Sequence, residues 1–230
     1  MRIAMLKQAG SPLAPPSSKV MAYKSLWIAA LLSMVSGKSI TIDTLQSAPA
    51  FCNGLDCPKF TVLSKTKDYE ERAYDASKWT STLISGMDYQ SAVSQGFMKL
   101  FDYISGDNLD KKKVAMTAPV TAKVVPGQGP ACASNFTVSF MVPFADQDNP
   151  PKPADPNVYL SELPALKAYV RSFGGFASGD DYIKEALELD KALKASNTTS
   201  DYHTEFYYTA GYDAPFKPFN RHNEVWFIEL

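Results

Sequence analysis

The chain has 230 residues, 45% hydrophobic and 20% charged, with a formal net charge of −1, which supplies enough apolar side chain for a sizeable core and excludes a disordered polypeptide. Its 23 basic residues are balanced by 24 acidic ones, and Lys111 to Lys113 is the sole dense basic run, so the footprint of a nucleic-acid partner is missing. Three cysteines without a Cys-x-x-Cys pair, and two histidines, exclude the common zinc frameworks.

Residues 1–37 carry Arg2, Lys7, Lys19 and Lys24 and no acid, then an apolar run from Leu26 to Val35 followed by Ser36 and Gly37. The run is short for a bilayer span and has the proportions of a secretory signal peptide, after whose removal no stable membrane span is expected. Its basic region is long for a start at Met1 and ordinary for a start at Met21, so residues 1–20 read as an upstream extension. Removing residues 1–37 leaves 19 basic against 24 acidic residues. The expected product is a secreted, slightly acidic monomer. Asn135 and Asn197 head glycosylation sequons, which such a route permits. A short segment, 38–56, precedes the main domain. Among Cys52, Cys57 and Cys132, a bridge from Cys57 to Cys132 would tie two strand starts together, with Cys52 as an alternative to Cys57.

From Phe60 the chain reads as two strand-like segments, FTVLSKT and KWTSTLI, with Tyr69 to Tyr74 between them. A helix begins near Asp88, whose carboxylate can cap it, and ends at Ser105-Gly106. Val93, Phe97, Leu100 and Ile104 recur on one face of that helix, and Ser94, Met98 and Phe101 lie at its margin. Two strands follow. In VAMTAPVTAKV, Pro119 implies an edge or a bulge, and in FTVSFMV the alternation of Phe136, Val138, Phe140 and Val142 marks one buried face.

Asp148 to Pro156 holds four prolines and reads as a semi-rigid linker. After it come NVYLSEL and KAYVRSFGGFA, where Gly174-Gly175 suggests a bulge or a close backbone approach. A helix over Asp181 to Ala195 follows, opened by Ser178 and Asp181 as a near capping box and carrying Ile183, Ala186, Leu187, Leu189, Ala192 and Leu193. EFYYTAGY precedes a loop in which Pro215 and Pro218 display Phe216, Lys217 and Phe219. Val225 to Ile228 ends the chain as a strand covered on both faces. Each half thus reads strand, strand, helix, strand, strand. Two such halves would fuse into one α+β domain, a distorted twisted β-barrel flanked by two helices.

The landmarks CPKFTVLSKTKDYEERAY, FDYISGDN, KVAMTAPV, FTVSFMVPF, NPPKPADPNVYL, YVRSFGGFA, YTAGYDAP and RHNEVW resemble, in that order, those of the SOUL heme-binding proteins. The resemblance spans 57–230 and implies the same duplicated barrel, similar also to the effector-binding domains of bacterial drug-sensing regulators. The signal and paired cysteines resemble the secreted or organellar branch. The implied function is non-catalytic binding of heme or a related tetrapyrrole, as carrier or scavenger, in a shallow apolar cleft between the first helix and the loop before the last strand.

Carried over by position, that cleft draws Ser94, Phe97 and Phe101 from the helix and Lys217 from the loop; Met98, Phe216 and Arg221 join them as further contacts. Ser94 and Asp102 stand where the family places basic residues, so few propionate partners remain. Trp226 would lie beside the cleft. His222 is a minor candidate for iron ligation, His203 reads as an exposed turn residue, and weak or absent axial ligation is the expectation. The competing reading is a small-molecule hydrolase or effector-binding domain in which a buried Glu224, its carboxyl raised by burial, acts as acid or base. No nucleophile, base and orienter set accompanies it.

Overall fold

The structure, a computed structural model, describes residues 48–129, 132–196 and 201–230. The expected signal peptide with its two candidate starts, and the Asn197 sequon, lie outside the described residues. Asn135, of the other sequon, is exposed on a strand.

The described residues form nine strands and two long helices: β1 (Phe60–Lys65), β2 (Glu70–Tyr74), β3 (Ser77–Gly86), α1 (Tyr89–Ser105), β4 (Val120–Val125), β5 (Ser134–Met141), β6 (Val158–Leu163), β7 (Leu166–Phe173), α2 (Gly179–Ala195), β8 (Tyr207–Gly211) and β9 (Asn223–Ile228). The strands make one antiparallel sheet in the order β1-β2-β7-β9-β8-β4-β5-β3-β6. The α+β barrel-like architecture is as expected, with one strand more. Tyr69 to Tyr74, read as a connection, contains β2, which pairs with both β1 and β7. Its charged residues hide the alternation, because Arg72 is buried by pairing with acids rather than by being apolar.

Pro119 stands immediately before β4, not in an edge strand or a bulge. A residue without an N–H cannot join the ladder, so β4 starts at Val120 and runs between β8 and β5 in the interior of the sheet.

Asp88 accepts from the Ser91 N–H to cap α1, and Gly106, at φ 119°, ends it. Ser178 and Asp181 complete a full capping box on α2, which begins two residues earlier than expected. Val225, Thr209, Ala122 and Val138 lie opposite one another across four strands and so share a face of the sheet. On that face α2 packs Tyr182, Ala186, Leu189 and Leu193 against Tyr169, Val225 and Phe227. There too α1 packs Leu100 and Ile104 against Ala122, Val138 and Phe140. Of the expected α1 stripe, Val93 and Phe97 are half-buried.

Gly96 lets α1 approach β5 closely: a Cβ there would meet Val138 Cγ2 at 2.5 Å and Cβ at 2.7 Å. Gly96→Ala is therefore expected to destabilise the protein even though alanine is the better helix former. An overpacking cost of about 1–3 kcal/mol outweighs a propensity gain of about 1 kcal/mol. A lower urea midpoint at unchanged slope checks it.

The opposite face is concave. Tyr159 of β6 and Tyr208 of β8 line one small depression there although three strands lie between them, which requires the sheet to curl. The proline-rich connection is anchored: Tyr103 donates to the Pro151 carbonyl at 2.8 Å, and the Leu109 N–H to that of Lys152. At the turn after β7, a Cβ on Gly174 would meet the Arg221 carbonyl at 3.5 Å, an ordinary contact and no close approach, while Gly175 takes φ 87°.

The disulfide joins Cys52 to Cys57, with Cα atoms 6.2 Å apart, and Cys132 is free and exposed. The expected Cys57–Cys132 bridge is thereby corrected. Asp56 bridges Thr117 ahead of β4, whereas Cys132 lies past the end of β4. Six residues of strand, on the order of 20 Å, separate the two ends, and a disulfide needs Cα atoms within about 7 Å.

Candidate functional site

The gap between the two helices arises from the strand order. α1 lies over β5 and β3, and α2 over β7 and β9, so on the helical face β4 and β8 run between them. The helices touch at their starts, where Tyr89 and Tyr182 rings sit 5.3 Å apart, and the Tyr89 hydroxyl bonds Thr209 at 2.8 Å. That contact divides the gap into two ends.

At one end Val120 pairs with Gly211 and with Phe140, on which Phe97 packs at 5.2 Å. The loop after β8 leaves from here, so the structure brings the α1 margin and the loop to the same end of the sheet. Phe97 stacks on Phe101 at 5.9 Å, and Ser94, Met98 and Phe101 are exposed. Phe216 is 86% exposed. The two prolines do display the aromatics of this lip.

The cations are another matter. Lys217 is paired with the nearly buried Asp213 and bonds Asn53 at 3.2 Å. Burial would raise the Asp213 carboxyl, but the hydrogen bonds from Lys217, His222 and Asn53 hold it below its ordinary value. Arg221 donates to the carbonyls of Ala214, Lys217 and Asp213 and lies 4.4 Å over the Phe176 ring. Both cations thus hold the loop together.

Glu224 is on the concave face, away from both helices. It has no exposed surface and accepts from Arg72 at 3.0 Å, Tyr212 at 2.8 Å, His222 Nε2 at 2.7 Å, Trp226 Nε1 at 2.7 Å and Ser172 at 3.4 Å. Burial alone would raise its carboxyl; the His222 bond, the Arg72 charge and the Trp226 bond together hold it below the ordinary value. The expected raised acid is corrected, and Arg72 is its ion-pair partner.

Tyr74 and Tyr212 are pushed up by burial and by the Glu224 charge, so they stay protonated beside it. His222 is turned inward to Glu224 and stacked 4.1 Å from Phe51, so it does not face the α1 surface. Trp226 is in the concave core, not beside that surface.

At the other end of the gap is a cavity of about 440 Å³ lined by α2, the start of α1, the β4–β5 hairpin and β8. No residue carried over from the family lines it. Ile183 and Leu187, read as core positions of α2, are 51% and 64% exposed and stand at this cavity; Tyr182 takes the core place instead. His203, read as an exposed turn residue, is half-buried, stacked 4.8 Å from Phe206, and also lines the cavity. The apolar stripe of Ile183 and Leu187 beside the aromatic EFYYTAGY segment was the signal for it. Among the described residues no cluster of three or more His, Cys, Asp or Glu could hold a bare metal ion, and no helix is long and apolar enough to cross a membrane.

Residues 55–228 match the SOUL heme-binding protein family. Heme-binding protein 2 of Homo sapiens is 42% identical over 161 residues, which cover 70% of this chain and 78% of that protein. Heme-binding protein 1 of Xenopus laevis is 34% identical over 161 residues, covering 70% and 83%. Among solved structures, the cryo-EM structure of an EcmrR–DNA complex superposes with a TM-score of 0.53 at 12% identity, covering 70% of this chain and 57% of that one. That last likeness is one of fold alone.

Proposed function

The chain belongs to the SOUL heme-binding protein family, and on that premise we propose that it binds heme and related tetrapyrroles without transforming them, as a monomeric carrier or scavenger. The observation that carries this reading is aromatic surface left uncovered on the helical face, where Phe97 and Phe101 stack beside an exposed Met98. Flat, apolar walls with few polar groups suit a macrocycle.

The residues fit the ligand unevenly. Phe97, Met98, Phe101 and Phe216 can bury its rings; Lys217 and Arg221 would reach a propionate only by leaving their present partners, and His222 is committed to Glu224. Bound heme would supply an iron centre and a visible absorption band. The chain would supply burial and water exclusion. The hydrolase reading loses its acid, since Glu224 is held ionised by its donors.

We place the protein in the secretory route. The disulfide between Cys52 and Cys57 supports an oxidising compartment, and the basic-then-apolar N-terminus supports export. Mass analysis of the mature N-terminus checks this; a protein that keeps Met1 would sink it. Titration with hemin and with iron-free protoporphyrin, followed by ligand absorbance, tests the binding. Saturable uptake is expected, and uptake of neither ligand would reject the function. Tryptophan quenching is a poor readout, because Trp226 is in the concave core.

A further inference from the structure

We propose, on the premise of the heme-binding reading above, that the turn closed by the Cys52–Cys57 disulfide positions the aromatic lip for its ligand, with Asn53 as the positioning residue. The lip is the connection from β8 to β9. Its base is closed where the Tyr212 N–H donates to the His222 carbonyl at 3.2 Å. Asn53 reaches both that base and the middle of the loop. Its side-chain NH₂ is shared among Asp213 Oδ1 at 3.0 Å and the carbonyls of Phe51 and Tyr212 at 3.0 and 3.2 Å, and its oxygen accepts from Lys217 Nζ at 3.2 Å. Phe51 stacks on His222 at 4.1 Å and meets Tyr212 edge-on at 4.9 Å. Phe51 and Asn53 together therefore touch the start, the middle and the end of the loop that displays Phe216.

The turn is built to hold that amide in one place. Asn53 at φ 56° and Gly54 at φ 77° take the left-handed region in succession, which these two residue types tolerate best. Behind them Cys52 and Cys57 are buried in the concave core with Tyr212 and Trp226, and their disulfide fixes the two ends of the turn to each other. Asp56 ties the far end to the sheet: it bridges Thr117 ahead of β4, and its carboxylate accepts from the Phe144 N–H at 2.9 Å. The sheet sets the tip of the turn, and the tip sets the lip. Phe51, Cys52 and Asn53 all precede the family-matched residues 55–228, so none of the positions carried over from the family includes them.

The ligand needs such a brace because the lip cannot anchor itself. Phe216 points into water, so its own packing does not hold it. Arg221 fixes the shape of the loop by bonding three of its carbonyls, whereas Asn53 and Phe51 attach that shape to the rest of the molecule. A loose loop must be ordered at the moment a ligand binds; a braced loop has been ordered beforehand, and the difference is read in affinity.

Asn53→Gly, Phe216→Ala and the double variant are titrated with hemin beside the unaltered full chain, read by Soret absorbance, with urea midpoints as a check on folding. Glycine keeps the left-handed backbone at position 53 and removes only the amide. Asn53→Gly should weaken hemin binding about fivefold. In the Phe216→Ala background it should add less than about twofold, because an effect carried by the lip fades once the lip has lost its ring, whereas a general loss of structure adds in full. Amide hydrogen exchange needs no ligand: between Ala214 and Arg221 it should quicken about fivefold or more in Asn53→Gly, with α1 unchanged. Unchanged exchange in the lip overturns the brace whether or not hemin binds. Full additivity, or hemin affinity in Asn53→Gly within about twofold of the unaltered chain, overturns it while heme binding stands. If exchange quickens as expected but the unaltered chain takes up no hemin, the heme-binding reading is rejected, and with it the lip's role toward that ligand.

Discussion

Glu224→Gln is expected to cost about 3–5 kcal/mol of stability at neutral pH, the usual penalty for removing one partner of a buried ion pair. The substitution nearly conserves shape, so packing contributes little to the loss. What it removes is the charge that five donors point at, and it leaves the guanidinium of Arg72 buried with Glu70 as its remaining acid. The amide also brings an NH₂ group to face the donors of Tyr212, Trp226 or His222.

Acid should narrow the difference between the two proteins. The folded Glu224 carboxyl lies below its ordinary value, so its contribution is complete above the unfolded carboxylate range, near pH 4.3, and is lost as pH falls through the folded value. Urea unfolding of both proteins across that interval measures it. Equal midpoints at neutral pH would show that the concave network does not hold the barrel. The doubly apolar variant Arg72→Met with Glu224→Leu should be far milder than Glu224→Gln, since it strands no charge.

The second large effect contrasts two leucines on one helix. Leu189 is fully buried against Tyr169, Val225 and Phe227, and Leu189→Ala should cost about 2–5 kcal/mol. Leu187, two residues earlier and mostly exposed at the cavity, should lose no more than about 0.5 kcal/mol on the same change. Urea midpoints at constant slope separate them. Equal losses would mean that α2 is seated by a different face, and with it the cavity would close.

That contrast marks what is legible in the chain and what is not. Helix ends are local chemistry, so Asp88, Gly106 and the Ser178–Asp181 box could be read directly. The continuous apolar run of β9 announced a strand covered on both faces, and all six of its residues are buried. β2 escaped because Arg72 satisfies burial through partners as far off as Glu224, 152 positions along the chain. The loop cations likewise looked free until Asn53, 164 positions from Lys217, was seen beside them. The cavity was hidden for a related reason. Hydrophobic periodicity says which stripe of a helix is apolar but not how wide a gap the strand order leaves beside it, so Ile183 and Leu187 read as core.

The sheet order also governs how the molecule is made. Strands of the first half, β1 to β5, and of the second half, β6 to β9, alternate in blocks, meeting at β2/β7, β8/β4 and β3/β6. Neither half closes its own sheet. While the chain is synthesised, the inner edges of β2, β3 and β4 must wait for β7, β6 and β8, the last of which ends at Gly211. At 5–20 residues per second, the roughly 70 residues from the end of β5 to the end of β8 take on the order of 4–14 s to appear. Over that interval three strand edges remain open to the wrong neighbours. Cutting the chain within Asp148 to Pro156 should therefore yield two fragments that fold only in each other's company.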